Sequence, residues 1–162
     1  MAAFVTRRAG FEDVEALLWI QRQAAIAAFS HIFPQNRYPY PSEAIRDGWA
    51  TALGDAEVEA YLAEVEARPV ASVSIGHGFL RTLFVLPSHW RMGIGSELHD
   101  LALARLRARG VAEARLWTLA DSESARRFYE RRGWIETGKT RVVPFPPHPL
   151  DVEYSLSLLG EA

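Results

Sequence analysis

Apolar and polar positions follow two periods along this chain, and the sharpest signal lies in its middle. Leu83, Phe84, Val85 and Leu86 form an unbroken apolar run that reads as a buried strand closed by Pro87. After a short turn come Gly93, Ile94, Gly95 and Ser96. From Ser96 the spacing of Leu98, Leu101, Ala102 and Leu106 predicts a helix that stops at Gly110. Arg105 falls inside that stripe, so its guanidinium must snorkel or pair. Upstream, Phe4 to Arg8 reads as a strand, and Phe11 to Phe29 as a helix with Phe11, Val14, Leu18 and Ala25 on one side. Ser42 is the expected N-cap of a second helix carrying Ile45, Trp49 and Leu53 and ending near Gly54.

From Glu57 the period shortens. Residues 57–66 mix apolar and acidic positions, which predicts a strand with one polar face. Arg68-Pro69 turns the chain back into Val70 to Ile75, and Gly76-His77-Gly78 turns it again into Phe79 to Leu86. Ala114 to Leu119 is the expected parallel strand. Asp121 then caps a helix with Ala125, Phe128 and Tyr129 that ends at Gly133, and Trp134–Val143 and Val152–Leu158 close the chain around a Pro-rich loop. Hairpin-linked strands feeding a strand–helix–strand unit predict an α/β fold in one domain spanning residues 1–162, with a mixed, largely antiparallel sheet flanked by helices.

Composition narrows the chemistry. A net charge of -2 gives no field that would recruit nucleic acid or an anionic membrane. With no cysteine, there is no disulfide framework, thiol nucleophile or Cys-ligated metal, and no metal is expected. The first residues lack the apolar run of a signal peptide, and no apolar segment is long enough to span a bilayer, so a cytoplasmic protein is expected.

The loop between strand and helix carries the candidate chemistry. A helix start exposes unpaired N–H groups and positive potential, and glycines let an anion approach the backbone. That suits a phosphate or pyrophosphate. A dinucleotide fingerprint needs a third glycine where Leu98 stands, and a phosphate loop of the Gly-Lys-Ser/Thr kind needs a lysine that is missing.

The run Leu83-Phe84-Val85-Leu86-Pro87 followed by Gly93-Ile94-Gly95-Ser96 resembles the acyl-CoA-binding motif of the GCN5-related N-acetyltransferases. A second family motif follows in order: Ala125-Arg126-Arg127-Phe128-Tyr129-Glu130-Arg131-Arg132-Gly133-Trp134 resembles A-x-x-F-Y-E-x-x-G-F/W. The chain departs from the family at Trp90, where Gln or Arg is usual, and at Ser122, where Asn is frequent. The resemblance implies a GNAT-like sheet with a splayed parallel pair and acetyl-CoA as co-substrate. It also implies an acetyl transfer to a primary amine by direct attack in a ternary complex.

On that resemblance, Phe84, Val85 and Leu86 pair with the pantetheine arm, and the Val85 N–H polarises the thioester. Arg91, Met92, Gly93, Ile94, Gly95 and Ser96 cradle the pyrophosphate, with Ser122 and Arg126 as further coenzyme contacts; Arg126 or Arg127 meets the 3′-phosphate. Tyr129 is the candidate acid for the leaving thiolate. No carboxylate lies on the Phe79–Leu86 strand to serve as base. His77 is the candidate, with Glu64, Glu66 and Glu153 as alternatives, or bulk water takes the proton. The aromatic segment around His31, Phe33, Tyr38 and Tyr40, with Trp49, and the loop around Phe145 and His148 are the expected acceptor walls. The segment has no acidic cluster, which favours a small, less cationic amine. The partner expected is thus a small-molecule amine, with no nucleic acid and no membrane, and a homodimer is left open. The rival readings are a non-catalytic acyl-CoA-binding domain and a peptide or protein N-acetyltransferase.

Overall fold

The computed structural model describes residues 3–159. Seven strands form one sheet: β1 (Val5–Arg8), β2 (Glu59–Val65), β3 (Arg68–Gly76), β4 (Phe79–Val85), β5 (Glu113–Leu119), β6 (Ile135–Val142) and β7 (Leu150–Ser157), in the order β1-β2-β3-β4-β5-β7-β6. Every neighbouring pair is antiparallel except β4 and β5. Four helices flank it: α1 (Val14–Phe29), α2 (Ser42–Leu53), α3 (Ile94–Ala108) and α4 (Glu123–Glu130). The expected mixed α/β sheet with one parallel pair is therefore the fold observed.

Two cores lie on the two faces of the sheet. On one, Leu98, Ala102 and Leu106 of α3 pack with Val73, Ile75 and Leu116 of the sheet and with Tyr129 and Trp134. On the other, Leu17 and Ile20 of α1 and Trp49 of α2 pack on Ala60 and Leu62. Leu98 is fully buried, and burying a side chain of that size stabilises by roughly 1.5–3 kcal/mol.

The entry into α1 differs from the expected phase. Phe11–Asp13 is a 3-10 turn, held by Asp13, whose carboxylate accepts from Gly10 N–H at 2.9 Å and from both terminal nitrogens of Arg7 at 3.0 and 2.8 Å. Three residues per turn in place of 3.6 rotates the following helix. Phe11 is consequently exposed, while Leu17, Leu18, Ile20 and Ala24 face inward. Smaller shifts recur at other ends. Pro41, not Ser42, is the N-cap of α2, and Ser122, not Asp121, that of α4. The β2–β3 turn uses Glu66 and Ala67, at φ 51 and 64, so Arg68 and Pro69 open β3 instead of turning the chain.

The polar face expected of β2 is not solvated. Glu59 is 1 % exposed and takes Arg105 Nε at 2.7 Å, Arg109 Nε at 2.5 Å and the Tyr61 hydroxyl at 2.6 Å. This answers the question posed by Arg105: it pairs, and the pair ties the end of α3 to β2.

Candidate active site

Sheet geometry creates the site. β4 and β5 register only at Phe79 and Arg115, then diverge, while β5 stays paired with β7 from Glu113 to Leu119. The second half of β4 thus has a free edge. Leu86 N–H is used on Val70 C=O at 2.8 Å, and antiparallel bonding alternates, so the N–H and C=O of Val85 point away from β3 to that edge.

Beside the free edge lies a cavity of about 840 Å³, bordered by Phe84, Val85, the α3 N-terminus and α4. Gly93 takes φ 83, a left-handed N-cap that a Cβ would strain. Arg91 adopts φ 63, a conformation costly for a side-chain-bearing residue. The turn aims the amides of Ile94, Gly95 and Ser96 outward: none has a partner among the described residues, and Glu97 N–H makes the first intrahelical bond, to Gly93 at 3.2 Å. Gly95 has room for a methyl, its ideal Cβ lying 3.8 Å from Val85 and Phe128, so the backbone does not require glycine there.

Cations gather at the same mouth. Arg127, Arg131 and Arg132 border the cavity. Arg132 lies over the Phe128 ring at 3.6 Å and donates to the Ser96 hydroxyl. The Ser122 hydroxyl is buried at the wall with no hydrogen-bond partner among the described residues. An anion-bearing ligand with an extended amide arm fits these groups: open amides and arginines for phosphates, and a bare strand edge for the arm.

Tyr129, with Phe29 and Phe84, borders both this cavity and an adjoining one of about 160 Å³, whose wall is completed by Thr82, Trp117 and Asp151. Its hydroxyl has no hydrogen-bond partner among the described residues, and burial pushes the phenol well above its usual range. Aromatic edges fix the ring: Phe128 at 5.2 Å and Trp134 at 6.0 Å between centroids. Trp134 in turn donates its indole N–H to Nε2 of buried His99 at 3.0 Å, and burial lowers the His99 pKa, keeping that nitrogen an acceptor.

Phe84, Val85, Arg91, Gly93, Ile94, Gly95, Ser96, Ser122 and Tyr129 all border the larger cavity. Leu86 and Met92 do not; they pack into the core. Arg126 is also elsewhere, bound to the Tyr154 hydroxyl at 3.0 Å, to Ala120 C=O at 2.9 Å and to Glu136, which leaves Arg127 as the open one of the two. His77 sits at the opposite end of β4 from Val85, its ring bonded to Asp55 at 2.7 Å, and borders neither cavity.

The other bases considered are also engaged: Glu64 with Arg7 at 3.2 Å, Glu153 with the Thr137 hydroxyl at 2.8 Å, while Glu66 forms a turn. His31, Phe33, Tyr38 and Tyr40 border neither cavity. His31 pins its loop to Asp121 C=O at 3.1 Å, and the loop folds down on itself, with Gln35 bonded to Phe33, Tyr38 and Tyr40. Trp49 is buried and bonded to Gln21, and Phe145 and His148 border neither cavity. The aromatic residues that line the smaller cavity are Phe29, Phe84, Trp117 and Tyr129, of which sequence spacing did not single out Phe29 or Trp117.

The fold and motif agree with known proteins. Over nearly its full length the chain is similar to three solved structures. One is the PaiA N-acetyltransferase of Thermoplasma acidophilum in complex with coenzyme A, at 17% identity over 93% of this chain and 98% of that one, TM-score 0.69. Another is the ribosomal-protein-S18-alanine N-acetyltransferase of Escherichia coli, at 18% identity over 99% and 97%, TM-score 0.72. The third is yncA of Salmonella typhimurium, a proposed acetyltransferase with acetyl-CoA, at 16% identity over 99% and 97%, TM-score 0.72. Compared with curated proteins, the sequence matches none. The model of the Acetyltransferase (GNAT) family matches residues 18–134, across the strand edge, the anion turn and α4, and the chain belongs to that family.

Proposed function

We propose that this acetyltransferase moves an acetyl group from acetyl-CoA to a small primary amine, the two meeting where β4 and β5 part. One observation carries the reading: the outward-facing amide of Val85 and the unpartnered hydroxyl of Tyr129 border one cavity, and Tyr129 also reaches the smaller cavity behind it. The coenzyme supplies an acetyl thioester. The amides of Ile94, Gly95 and Ser96 hold its diphosphate, and Arg127 serves the remaining phosphate.

Val85 N–H is fixed by the strand, so it stabilises charge developing on the acetyl oxygen without having to reorient. Tyr129 stays protonated because burial raises its pKa, and it offers its hydrogen to the departing sulfur. With no cysteine in the chain, an acyl group has no thiol to rest on, so the neutral amine attacks directly: the C–N bond forms as the C–S bond breaks, and the proton shed by nitrogen passes to water. The acceptor enters the 160 Å³ cavity, whose size suits a small molecule better than a peptide.

The reading is tested by thiol release on mixing acetyl-CoA with a panel of amines, alongside calorimetry of acetyl-CoA binding. Saturable binding and amine-dependent release are expected. Binding without release for every amine would leave a coenzyme-binding domain in place of an enzyme.

A further inference from the structure

We propose that Asp151 binds a second, positively charged group on the acceptor, so that the preferred substrate is a short amine carrying an ammonium or guanidinium at its far end. This rests on the acetyl-transfer reading for the identity of the site, and it adds the chemistry that selects the acceptor.

Asp151 is 8 % exposed and lines the smaller cavity together with Tyr129. One carboxylate oxygen, Oδ2, accepts from Arg141 Nε at 2.9 Å; the other, Oδ1, has no hydrogen-bond partner among the described residues. A carboxylate largely withdrawn from water is stabilised by each further donor that reaches it, so its second oxygen favours a cationic group. Its single partner stands on the outside: Arg141 belongs to edge strand β6, its side chain is 54% exposed, and its guanidinium lies 4.5 Å over the Trp117 ring. Oδ1 is therefore free to accept from a group that enters the cavity Asp151 lines.

The surroundings push the same way. Glu153, two residues along β7 and so on the same sheet face, is 3 % exposed, and among the described residues its carboxylate has only the Thr137 hydroxyl as partner. The face therefore carries two buried carboxylates, of which only Asp151 is bonded to a guanidinium, that of Arg141. Arg81 also lines the cavity, but its Cδ lies against Gly76, at the opposite end of the hairpin from Asp151, and no hydrogen bond or ion pair joins it to Asp151 among the described residues. The 160 Å³ available is about five water volumes, which limits the spacer between reacting amine and second cation to a few carbons.

The experiment titrates 1,4-diaminobutane and butylamine separately into the protein saturated with CoA, where no transfer can occur. The diamine should bind at least about tenfold tighter, as expected for a charge-assisted hydrogen bond. Asp151→Asn should erase the preference, and Arg141→Gln, which removes the competing cation, should enlarge it. Equal affinities, no binding of either amine, or a preference that survives in Asp151→Asn would overturn the proposal; the wild-type ratio alone decides if that variant fails to fold. Thiol release with acetyl-CoA keeps the two readings apart. Release at equal rates from both amines sinks the Asp151 assignment only, whereas diamine-selective binding without release sinks acetyl transfer and leaves the cation site standing.

Discussion

The indole N–H of Trp90 donates to the carbonyl of Val85 across 2.7 Å. That carbonyl lies on the free edge of β4, where an extended arm would pair, so the indole and the arm compete for one acceptor. Trp90→Phe removes the competitor and keeps an aromatic ring. Acetyl-CoA affinity should rise about three- to tenfold, the worth of one net hydrogen bond. Calorimetry reads this directly, and a weaker affinity would mean that the indole itself contacts the coenzyme.

Tyr129→Phe deletes one oxygen without disturbing the ring contacts to Phe128 and Trp134. Turnover should fall about a hundredfold with KM for acetyl-CoA and thermal midpoint nearly unchanged. Because burial raises the phenol pKa above its usual range, the wild-type rate should show no decline from tyrosine ionisation up to about pH 10. Steady-state kinetics across pH checks both statements, and an unchanged kcat in the variant would remove the role.

Gly95→Ala separates folding from coenzyme binding. The added methyl meets only ordinary contacts at 3.8 Å, so the thermal midpoint should hold or rise by a degree or two, since alanine is the better helix former. The same methyl stands where a diphosphate would rest on the amides, and acetyl-CoA should bind at least about tenfold more weakly. Differential scanning fluorimetry with and without coenzyme gives both readings.

Adjacent arginines should behave differently. Arg127→Ala is expected to weaken CoA about three- to tenfold while leaving dephospho-CoA unaffected, because its side chain is 61% exposed at the cavity mouth. Arg126→Ala should instead lower stability by about 1–3 kcal/mol, since it leaves Ala120 C=O without its donor and takes one hydrogen bond from the Tyr154 hydroxyl, which keeps only Glu130 at 2.8 Å. Denaturant unfolding and competition binding distinguish them.

Glu59 should govern part of the acid stability. Hydrogen bonds from Arg105, opposed by burial and aided by Tyr61 and Arg109, lower its pKa from 4.5 to about 2. The folded pKa is below the unfolded one, so its contribution is complete above about pH 4.5 and is lost as pH falls toward about 2. With the arginines partly exposed and screened, that amounts to about 2 kcal/mol. Glu59→Gln should be less stable at neutral pH and should lose most of the wild-type slope between these limits in urea unfolding.

The order of the elements was legible in the sequence because each has its own period and punctuation. The run Leu83 to Leu86, the turn at Gly93 and the stripe Leu98, Ala102, Leu106 are local facts, and local sterics and burial enforce them. The turn proposed to hold the coenzyme was legible for the same reason: its free amides are consecutive at one helix start, so neighbouring residues define it. Element ends were less so, as Phe11 shows, because the carboxylate of Asp13 and its bonds to Arg7 reset the helix phase from outside the helix.

The smaller cavity, proposed for the acceptor, was decided only by tertiary structure. Phe29, Thr82, Trp117 and Asp151 come from α1, β4, β5 and β7, and nothing in their spacing links them. The aromatic segment from His31 to Tyr40 looked like a wall by composition, yet Gln35 ties its backbone together, His31 is bonded to Asp121 C=O, and neither cavity is bordered by His31, Phe33, Tyr38 or Tyr40. Likewise Arg105 announced that it needed a partner, but that the partner is Glu59 follows from where α3 crosses β2. Periodicity specifies which face of an element is buried; which distant residues share a cavity depends on where β4 and β5 cease to pair, a property of the assembled sheet.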